Sequence, residues 1–245
     1  IAVDVLGNVY TTGFFIGTAD FDPGPGVFNM SSNTSTWYDV FVTKFDASGN
    51  FIWAKSVGGS LNDVPYSIVI DNSNNVLITG YFTGVVDFDP GIGISNITAS
   101  GNEDVFILKL NSAGAFVWAK KFGGPSNERA YGIAVDISDN VYTTGVFNSV
   151  CDFDPSAAAF SLTAAGQDVF INKLDALGDF VWVNQLTGAS NEVGRGIAID
   201  QANNVITTGY YSGTVDFDPS VSVSNTTSVG LEDAFINKLD QNGNF

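Results

Sequence analysis

The stretch Val86-Asp87-Phe88-Asp89-Pro90-Gly91 decides how this sequence is interpreted, because its Asp-Phe-Asp-Pro core occurs four times. The other copies begin at Asp20, Asp152 and Asp216. This spacing indicates one supersecondary unit of about 65 residues used in tandem. The chain is therefore interpreted as a single repeat domain, 1–245, made of repeat 1 (1–59), repeat 2 (60–124), repeat 3 (125–188) and repeat 4 (189–245, last strand missing).

The first half of each repeat predicts a β-hairpin. In repeat 2 an apolar strand ends at Asp71, a polar turn closes on Asn75, and a β-branched strand runs from Val76 to Gly80. We expect Asp71 to fix the turn through its side chain, and Gly80 to let the backbone of the next repeat approach closely. The counterparts of Asp71 are Asp4, Asp136 and Asp200, and those of Gly80 are Gly13, Gly145 and Gly209.

The second half of each repeat predicts two further strands. In repeat 2 these are Asp104 to Lys109 and the Trp-containing segment Phe116 to Lys120. Several strands are apolar at consecutive positions, which indicates a sheet covered on both faces. Tandem sheets of this kind are typical of propeller blades. The sequence thus predicts an all-β, β-propeller-like tandem array of four-stranded antiparallel blades, with almost no helix and with Trp53, Trp118 and Trp182 between blades.

The stretch after each Asp-Phe-Asp-Pro element varies most between repeats. It still alternates apolar and polar residues, so we expect a short extra strand or an ordered loop there. Trp37 lies in this stretch and is the best candidate for an exposed contact. The N-glycosylation sequons also cluster there, at Asn29, Asn33, Asn96 and Asn225. A local function is expected in this variable stretch.

Composition excludes several classes of function. A net charge of −17 disfavours nucleic acid and anionic membrane surfaces as partners and favours cations. The lack of histidine excludes imidazole-dependent catalysis and most zinc sites. The single cysteine, Cys151, replaces a small apolar residue and is expected to be a packed thiol. No apolar run is long enough to insert into a membrane, and the start at Ile1, within a repeat and without Met, suggests a piece of a longer protein.

The segments Gly132 to Gly145 and Asp168 to Trp182 resemble the bacterial SBBP β-propeller repeat family, whose pattern is related to NHL-type propellers. The resemblance covers all four repeats. It implies four-stranded blades in a secreted or cell-surface bacterial protein, and it transfers no catalytic residues. The Asp-Phe-Asp-Pro insertion lengthens each unit beyond the roughly 40–50 residues of an ordinary blade. This variant is similar to repeats of large exported proteins of Bacteroidetes-like bacteria.

The Asp-Phe-Asp-Pro element is a candidate calcium site. In an extended segment both carboxylates lie on one side, directly before a turn, and Ca²⁺ takes about 6–8 oxygen ligands. The alternative is that Phe packs between blades while the acids cap turns or pair with Lys44, Lys109, Lys173 and Lys238. The predicted ligands are Asp20, Asp22, Asp87, Asp89, Asp152, Asp154, Asp216 and Asp218, with Asp39, Asp104, Asp168 and Asp233 as possible third ligands.

The sequence favours a non-catalytic structural or adhesive module of a secreted bacterial cell-surface or extracellular protein. Its expected partners are other protein chains or further repeats of the same protein. The alternatives are a ligand-binding propeller that recognises protein or carbohydrate such as surface glycans, and third, a carboxylate-based glycan-active enzyme. Four nearly identical copies argue against the enzyme, because an active site is normally unique, so no catalytic residue is predicted.

Overall fold

A computed structural model describes residues 1–245, which form strands, turns and irregular segments without any helix. It therefore contains no helix that is long and apolar enough to cross a membrane. The chain divides into two compact units, Ile1–Lys121 and Phe122–Phe245. Each unit holds most of two sequence repeats.

The first unit contains twelve strands. Repeat 1 forms β1 (Ala2–Val3), β2 (Val9–Phe15), β3 (Thr18–Asp20), β4 (Asn29–Ser31), β5 (Asp39–Phe45) and β6 (Phe51–Gly59). Repeat 2 forms β7 (Val64–Ile70), β8 (Val76–Phe82), β9 (Val85–Asp87), β10 (Asn96–Thr98), β11 (Asp104–Leu110) and β12 (Phe116–Phe122), the last residue of which belongs to the second unit.

The second unit contains the remaining nine strands. Repeat 3 forms β13 (Arg129–Val135), β14 (Val141–Asp152), β15 (Ser161–Leu174) and β16 (Phe180–Gly188). Repeat 4 forms β17 (Glu192–Ile199), β18 (Val205–Tyr211), β19 (Thr214–Asp216), β20 (Asn225–Thr227) and β21 (Asp233–Leu239).

Each of the first three repeats builds a four-stranded antiparallel sheet, and repeat 4 builds three strands. The orders are β1-β2-β5-β6, β7-β8-β11-β12, β13-β14-β15-β16 and β17-β18-β21. The predicted all-β, β-propeller-like array of antiparallel blades is thereby confirmed. Repeat 4 forms three strands within these residues, and the repeat boundaries stay a prediction.

Short polar side chains set the tight turns of the blades. Asp71 Oδ1 accepts the backbone N–H groups of Ser73 (2.9 Å) and Asn75 (2.8 Å), and its Oδ2 accepts the Asn75 amide at 2.9 Å. Asn74 takes the left-handed conformation at φ 60°, which Asn tolerates better than most residues. The predicted turn-fixing role of this Asp is confirmed, with the same bonds at Asp4, Asp136 and Asp200.

The Gly that closes the second strand in repeats 2 to 4 permits a close approach of the first strand of its own blade. A Cβ at Gly80 would lie 2.0 Å from the Val64 carbonyl oxygen, which belongs to the first strand of the same blade. The strand register shifts there, between Pro65 and Ser67. For Gly80 a β-bulge of the same blade fills this space. The expected approach of the next repeat is seen at Gly145, whose backbone N would lie 3.3 Å from a Cβ on Gly194 of repeat 4.

The extra hairpins of repeats 2 and 4 join the preceding blade, whereas β3 and β4 of repeat 1 form a two-stranded sheet of their own. In repeat 2, β9 pairs with β10 and also with the end of β6, where Gly58 lies opposite Asp87. In repeat 4, β19 pairs with β20 and with the end of β16. Each hairpin thus extends the earlier sheet to six strands, and this pairing fastens consecutive repeats together.

Candidate functional site

The Asp-Phe-Asp-Pro element is a self-contained loop held by its own carboxylates. Asp87 Oδ1 accepts the N–H groups of Asp89 (3.1 Å) and Ser95 (2.8 Å), which closes the loop across its base. Asp89 Oδ1 accepts the Gly91 N–H at 2.8 Å. Each acid therefore satisfies backbone donors that the turn would otherwise leave unpaired.

The same bonds recur in every repeat. The base of the loop is closed by Asp20 with Asp22 and Phe28, by Asp152 with Asp154 and Phe160, and by Asp216 with Asp218 and Ser224. The second acids, Asp22, Asp154 and Asp218, accept the N–H two residues ahead. Of the interpretations considered for these acids, turn capping is confirmed.

The Phe of the element is a packing residue. Phe88 is buried between Phe82 and Phe106, with ring centroids 5.3 and 5.4 Å away. Phe153 is buried among Phe122, Phe147 and Phe170 at 5.2 to 5.3 Å. Such edge-to-face and tilted pairs add to the hydrophobic gain of burial. The predicted packing role of this Phe is confirmed, with Phe88 in contact with rings of its own repeat and Phe153 also in contact with Phe122 of repeat 2.

The recurring lysines bind groups outside the Asp-Phe-Asp-Pro element. Lys109 pairs with Asp71 at 2.8 Å, and Lys238 pairs with Asp200 at 3.0 Å. Lys44 and Lys173 donate to backbone carbonyls of the following repeat, those of Ser112 (3.1 Å) and Gln241 (3.0 Å). The alternative in which these lysines neutralise the acids of the element is therefore wrong.

The predicted third ligands lie at or near the start of the third strands and have bonds of their own. Asp104 accepts the Ser100 N–H at 2.8 Å and pairs with Lys121, and Asp233 accepts the Val229 N–H at 2.8 Å. No three or more acidic or Cys side chains are grouped so that they could hold a metal ion. The calcium site at the Asp-Phe-Asp-Pro element stays a prediction.

The loop tips expose apolar side chains to solvent. We define them as the two apolar positions that follow each Asp-Pro by two and four residues. In repeats 2 and 4 these side chains, Ile92, Ile94, Val221 and Val223, are largely or fully exposed. Val27 of repeat 1 is exposed as well. Loops with fixed backbones therefore present apolar side chains to solvent, an arrangement suited to contact with another protein.

The tryptophans divide into packed and exposed groups. The Trp53 and Trp182 indoles donate to the carbonyls of Ser112 and Gln241, each at 3.2 Å, so they contact the following repeat as predicted. Trp37 is exposed, as predicted, and it directly precedes Tyr38 in the sequence. Tyr38 packs on exposed Phe14 with ring centroids 4.7 Å apart.

Buried acids at the repeat junctions were missed by the sequence reasoning. Asp63, Glu128 and Glu192 are buried, and each directly follows an Asn just after the Gly that ends a fourth strand. This Asn-acid pair at 62–63, 127–128 and 191–192 was the available signal. Asn, Asp and Glu are common in exposed turns, so the sequence alone did not indicate that these acids are buried.

Burial changes the ionisation of these acids. It raises the pKa of Asp63 to about 7, against the lowering effect of the Gly59 and Thr83 N–H groups, and nearby Asp39 adds to the rise. Burial likewise raises the pKa of Glu192 to about 7, with Asp168 contributing as a charge and hydrogen-bond partner. The pKa values of Asp39 and Asp168 are also raised by burial. Two acids therefore meet at each of these junctions.

The surface pockets offer little catalytic chemistry. One open pocket of about 500 Å³ is lined by residues 22–26 and 49–51, and Asp22 is its sole acid or base. A second, of about 250 Å³, is lined by apolar and hydroxyl side chains of repeat 4 and by Phe245. Neither pocket brings a nucleophile and a general base together.

Comparison with known proteins agrees with the repeat architecture. Residues 117–148 match the family model described as SBBP, a beta-propeller repeat. The chain is 28% identical over 186 residues to an uncharacterized WD repeat-containing protein of Acanthamoeba polyphaga mimivirus, covering 66% of this chain and 13% of that protein. It is 22% identical over 107 residues to Regulatory protein FlaEY of Caulobacter vibrioides, covering 44% of this chain and 11% of that protein.

These matches support the predicted resemblance at the level of the repeat. One repeat-length segment of the chain matches a β-propeller repeat, in agreement with its β-propeller-like fold, and the aligned part spans a small fraction of each relative. One relative is viral and the other bacterial, so the bacterial source and the Bacteroidetes-like context stay predictions.

Proposed function

We propose that this chain is a non-catalytic structural and adhesive module of a secreted bacterial cell-surface or extracellular protein. Its partners would be other protein chains, among them further repeats of the same protein. The observation that carries the proposal is the set of loop tips, which present exposed apolar side chains on capped loops in repeats 2 and 4.

The construction of the loops favours binding over a purely internal role. The Asp87 and Asp89 caps fix the backbone, and Phe88 anchors the loop base in the core. Ile92 and Ile94 at the tip contribute nothing to that core, because they are exposed. A fixed loop loses little conformational entropy on binding, so apolar tips of this kind gain affinity from preorganisation.

The acids support a non-catalytic role. The Asp-Phe-Asp-Pro carboxylates are used as turn caps in all four repeats, and the two surface pockets contain almost no acid or base. The secreted location has weaker support, from the net charge of −17 and from the exposed sequons Asn29, Asn33, Asn96 and Asn225.

Adhesion between copies of the chain tests the proposed function. The purified chain is passed over a sensor surface coated with the same chain, and binding is compared with a tip variant carrying Ile92→Ser, Ile94→Ser, Val221→Ser and Val223→Ser. We expect the variant to bind at least about tenfold more weakly at an unchanged melting temperature, because each lost apolar contact weakens binding by about 1 kcal/mol or more.

The matched control replaces four exposed apolar residues that lie in blade turns. These are Val5, Leu6, Ile137 and Leu177, each changed to Ser. The control should bind like the parent chain. Equal losses in both variants, or no binding by the parent chain, would contradict an adhesive role for the tips. Antibody labelling of intact source cells tests the location separately, and labelling that requires lysis would overturn the extracellular assignment.

The exposed aromatic cluster of repeat 1 favours carbohydrate binding as a second candidate. Phe14, Trp37 and Tyr38 occur together in this repeat, and flat aromatic faces stack on sugar rings. Titration with soluble oligosaccharides by calorimetry should give binding heat that Trp37→Ala removes and Phe160→Ala, in another repeat, retains. Absence of heat with the parent chain across a panel of neutral and acidic glycans would eliminate this candidate.

A further inference from the structure

The junction between repeats 1 and 2 contains two buried acids in contact with the same Gly-Gly segment. Asp39 is 2% exposed and Asp63 is 1% exposed. A Cβ added to Gly58 would lie 2.3 to 2.7 Å from the Asp39 carboxylate, so that carboxylate sits directly on Gly58. Asp63 Oδ2 accepts the Gly59 N–H at 2.7 Å. Both carboxylates therefore flank the end of β6.

Both oxygens of Asp63 accept backbone N–H groups, but Asp39 is not fully satisfied by the protein. Asp39 Oδ2 accepts the Asn33 N–H at 2.7 Å, but its Oδ1 is buried without a hydrogen-bond partner. Asp63 Oδ1 accepts only a long bond from the Thr83 N–H, at 3.2 Å. No Lys or Arg side chain pairs with either acid. A buried carboxylate oxygen without a partner is costly, so this junction lacks a positive group.

Repeat 2 shows what fills the equivalent position. Asp104 corresponds to Asp39, and Lys121 lies 17 residues after Asp104 on the fourth strand. The Lys121 ammonium group is 2.8 Å from Asp104 Oδ2. Repeat 1 has Ser56 at the position of Lys121, and a serine side chain carries no charge. The same acid thus has an ammonium partner on its Oδ2 in repeat 2, whereas in repeat 1 Asp39 Oδ2 accepts the Asn33 N–H alone and has no charged partner.

Repeat 3 gives an intermediate case. Gln185 occupies the position of Lys121, and its amide donates to Asp168 Oδ2. The fourth-strand residue therefore faces the third-strand acid in two repeats, as a cation or as a hydrogen-bond donor. In repeat 1 the side chain of Ser56 is shorter than those of Lys121 and Gln185 at the same position. The Lys121 ammonium group marks where a positive charge is bound.

We propose that Asp39 and Asp63 form a site for a divalent cation of the Ca²⁺ class at the junction of repeats 1 and 2. Two carboxylates neutralise its charge, and hard oxygen ligands suit this ion. The Gly58 carbonyl, which accepts the Asn33 amide at 2.7 Å, lies in the same segment and is a neutral oxygen donor. The site differs from the predicted calcium site at the Asp-Phe-Asp-Pro elements, and it would fasten repeat 1 to repeat 2.

Calcium titration of the 245-residue chain tests the site by calorimetry and by thermal unfolding. We expect one Ca²⁺ per chain and a rise in melting temperature of about 5 °C at a hundredfold excess over the dissociation constant. Asp63→Asn should remove the binding heat and the thermal shift. Ser56→Lys should remove them too, and in chelator this variant should melt above the parent chain, because its ammonium group replaces the ion.

The control variant is Asp22→Asn, in the Asp-Phe-Asp-Pro element of repeat 1. It should bind Ca²⁺ as the parent chain does. Binding of four ions, lost stepwise in Asp22→Asn and its counterparts but kept in Asp63→Asn, would place the ions at those elements and overturn the proposal. The absence of binding heat and of a thermal shift at Ca²⁺ or Mg²⁺ concentrations up to about 10 mM would overturn the proposal as well.

Discussion

Repeats 3 and 4 contain nearly the same third strand in two different environments. Ile171 of β15 is 0% exposed, whereas its counterpart Ile236 of β21 is 80% exposed. β15 pairs with β14 and β16, and β17 of the next repeat packs against it. β21 pairs with β18, and no other strand of residues 1–245 pairs with it. The third strand of a blade is therefore buried where a fourth strand pairs with it and the following repeat packs against it.

This difference shows that the stability of a repeat depends on its neighbours. Val169 and Ile171 share a hydrophobic cluster with Val205, Tyr211 and Phe235 of repeat 4. The residues of β21 have no such cover on their outer face. Nearest-neighbour burial of this kind is the general behaviour of repeat proteins. Equivalent substitutions in the two repeats should consequently have unequal effects.

The largest loss of stability is expected for the Phe of the Asp-Phe-Asp-Pro element. Phe153 is buried among three Phe rings, whereas Phe217 packs on Tyr211 and Phe235 and is slightly less buried. Phe153→Ala should lower the free energy of unfolding by about 3–5 kcal/mol, and Phe217→Ala by clearly less. Urea denaturation of both variants measures the difference. Equal losses of stability would contradict the claim that the neighbouring repeat contributes to the burial of this Phe.

A second pair of substitutions acts on the strand face itself. Ile171→Ala should cost about 2–4 kcal/mol, because it removes fully buried methyl groups. Ile236→Ala should change stability by no more than about 0.5 kcal/mol, because that side chain already lies in solvent. Thermal unfolding of the two variants gives the answer. A large loss in Ile236→Ala would mean that another surface covers β21.

The acid pair at the junction of repeats 3 and 4 predicts a pH dependence. The pKa of Glu192 rises from 4.5 to about 7 in the folded chain, mainly through burial and then through Asp168. The folded chain therefore holds a proton that the unfolded chain has lost, and the resulting stability is complete below about pH 4.5 and disappears as the pH rises through about 7.

Denaturation at pH 5.5 and pH 8.5 in chelator measures this dependence. The chain should be less stable at the higher pH, and Glu192→Gln should reduce the difference, because Gln keeps the shape without titrating. A remaining slope is expected from Asp63, whose pKa is raised in the same direction. An unchanged slope in Glu192→Gln would show that this pair does not hold the proton.

The smallest loss of stability is expected for the loop caps, and it should be equal in repeats 3 and 4. Asp152 and Asp216 accept the same backbone N–H groups at nearly the same distances, 2.9 and 2.8 Å across the loop base. Asp152→Ala and Asp216→Ala should each cost about 1 kcal/mol, because a cap acts locally. A melting-temperature comparison suffices. Strongly different losses would show that these acids depend on neighbouring repeats.

Features contained within one repeat were predictable from the sequence. The Asx turn at Asp71 and the packing role of Phe88 follow from local residue chemistry, and the same residues recur in all four repeats. The hairpins follow from the same comparison of copies.

Features formed between distant segments were not predictable in the same way. The partner of Gly80 was assigned to the wrong strand, because a bulge leaves no clear sequence signature. The meeting of Asp39 with Asp63 depends on how β5 and the start of the next repeat converge on Gly58 and Gly59. The fastening of β9 to β6 has the same origin, since it joins two repeats.

Hydrogen exchange of the backbone amides in β15 and β21 tests most directly whether the fourth strand and the following repeat together create the core. In the 245-residue chain, the amides of Val169 to Leu174 should exchange at least about a hundredfold more slowly than those of Ala234 to Leu239. Slow exchange throughout β15 with fast exchange at the uncovered edge of β21 is the predicted result. Equal protection of the two strands would contradict the account.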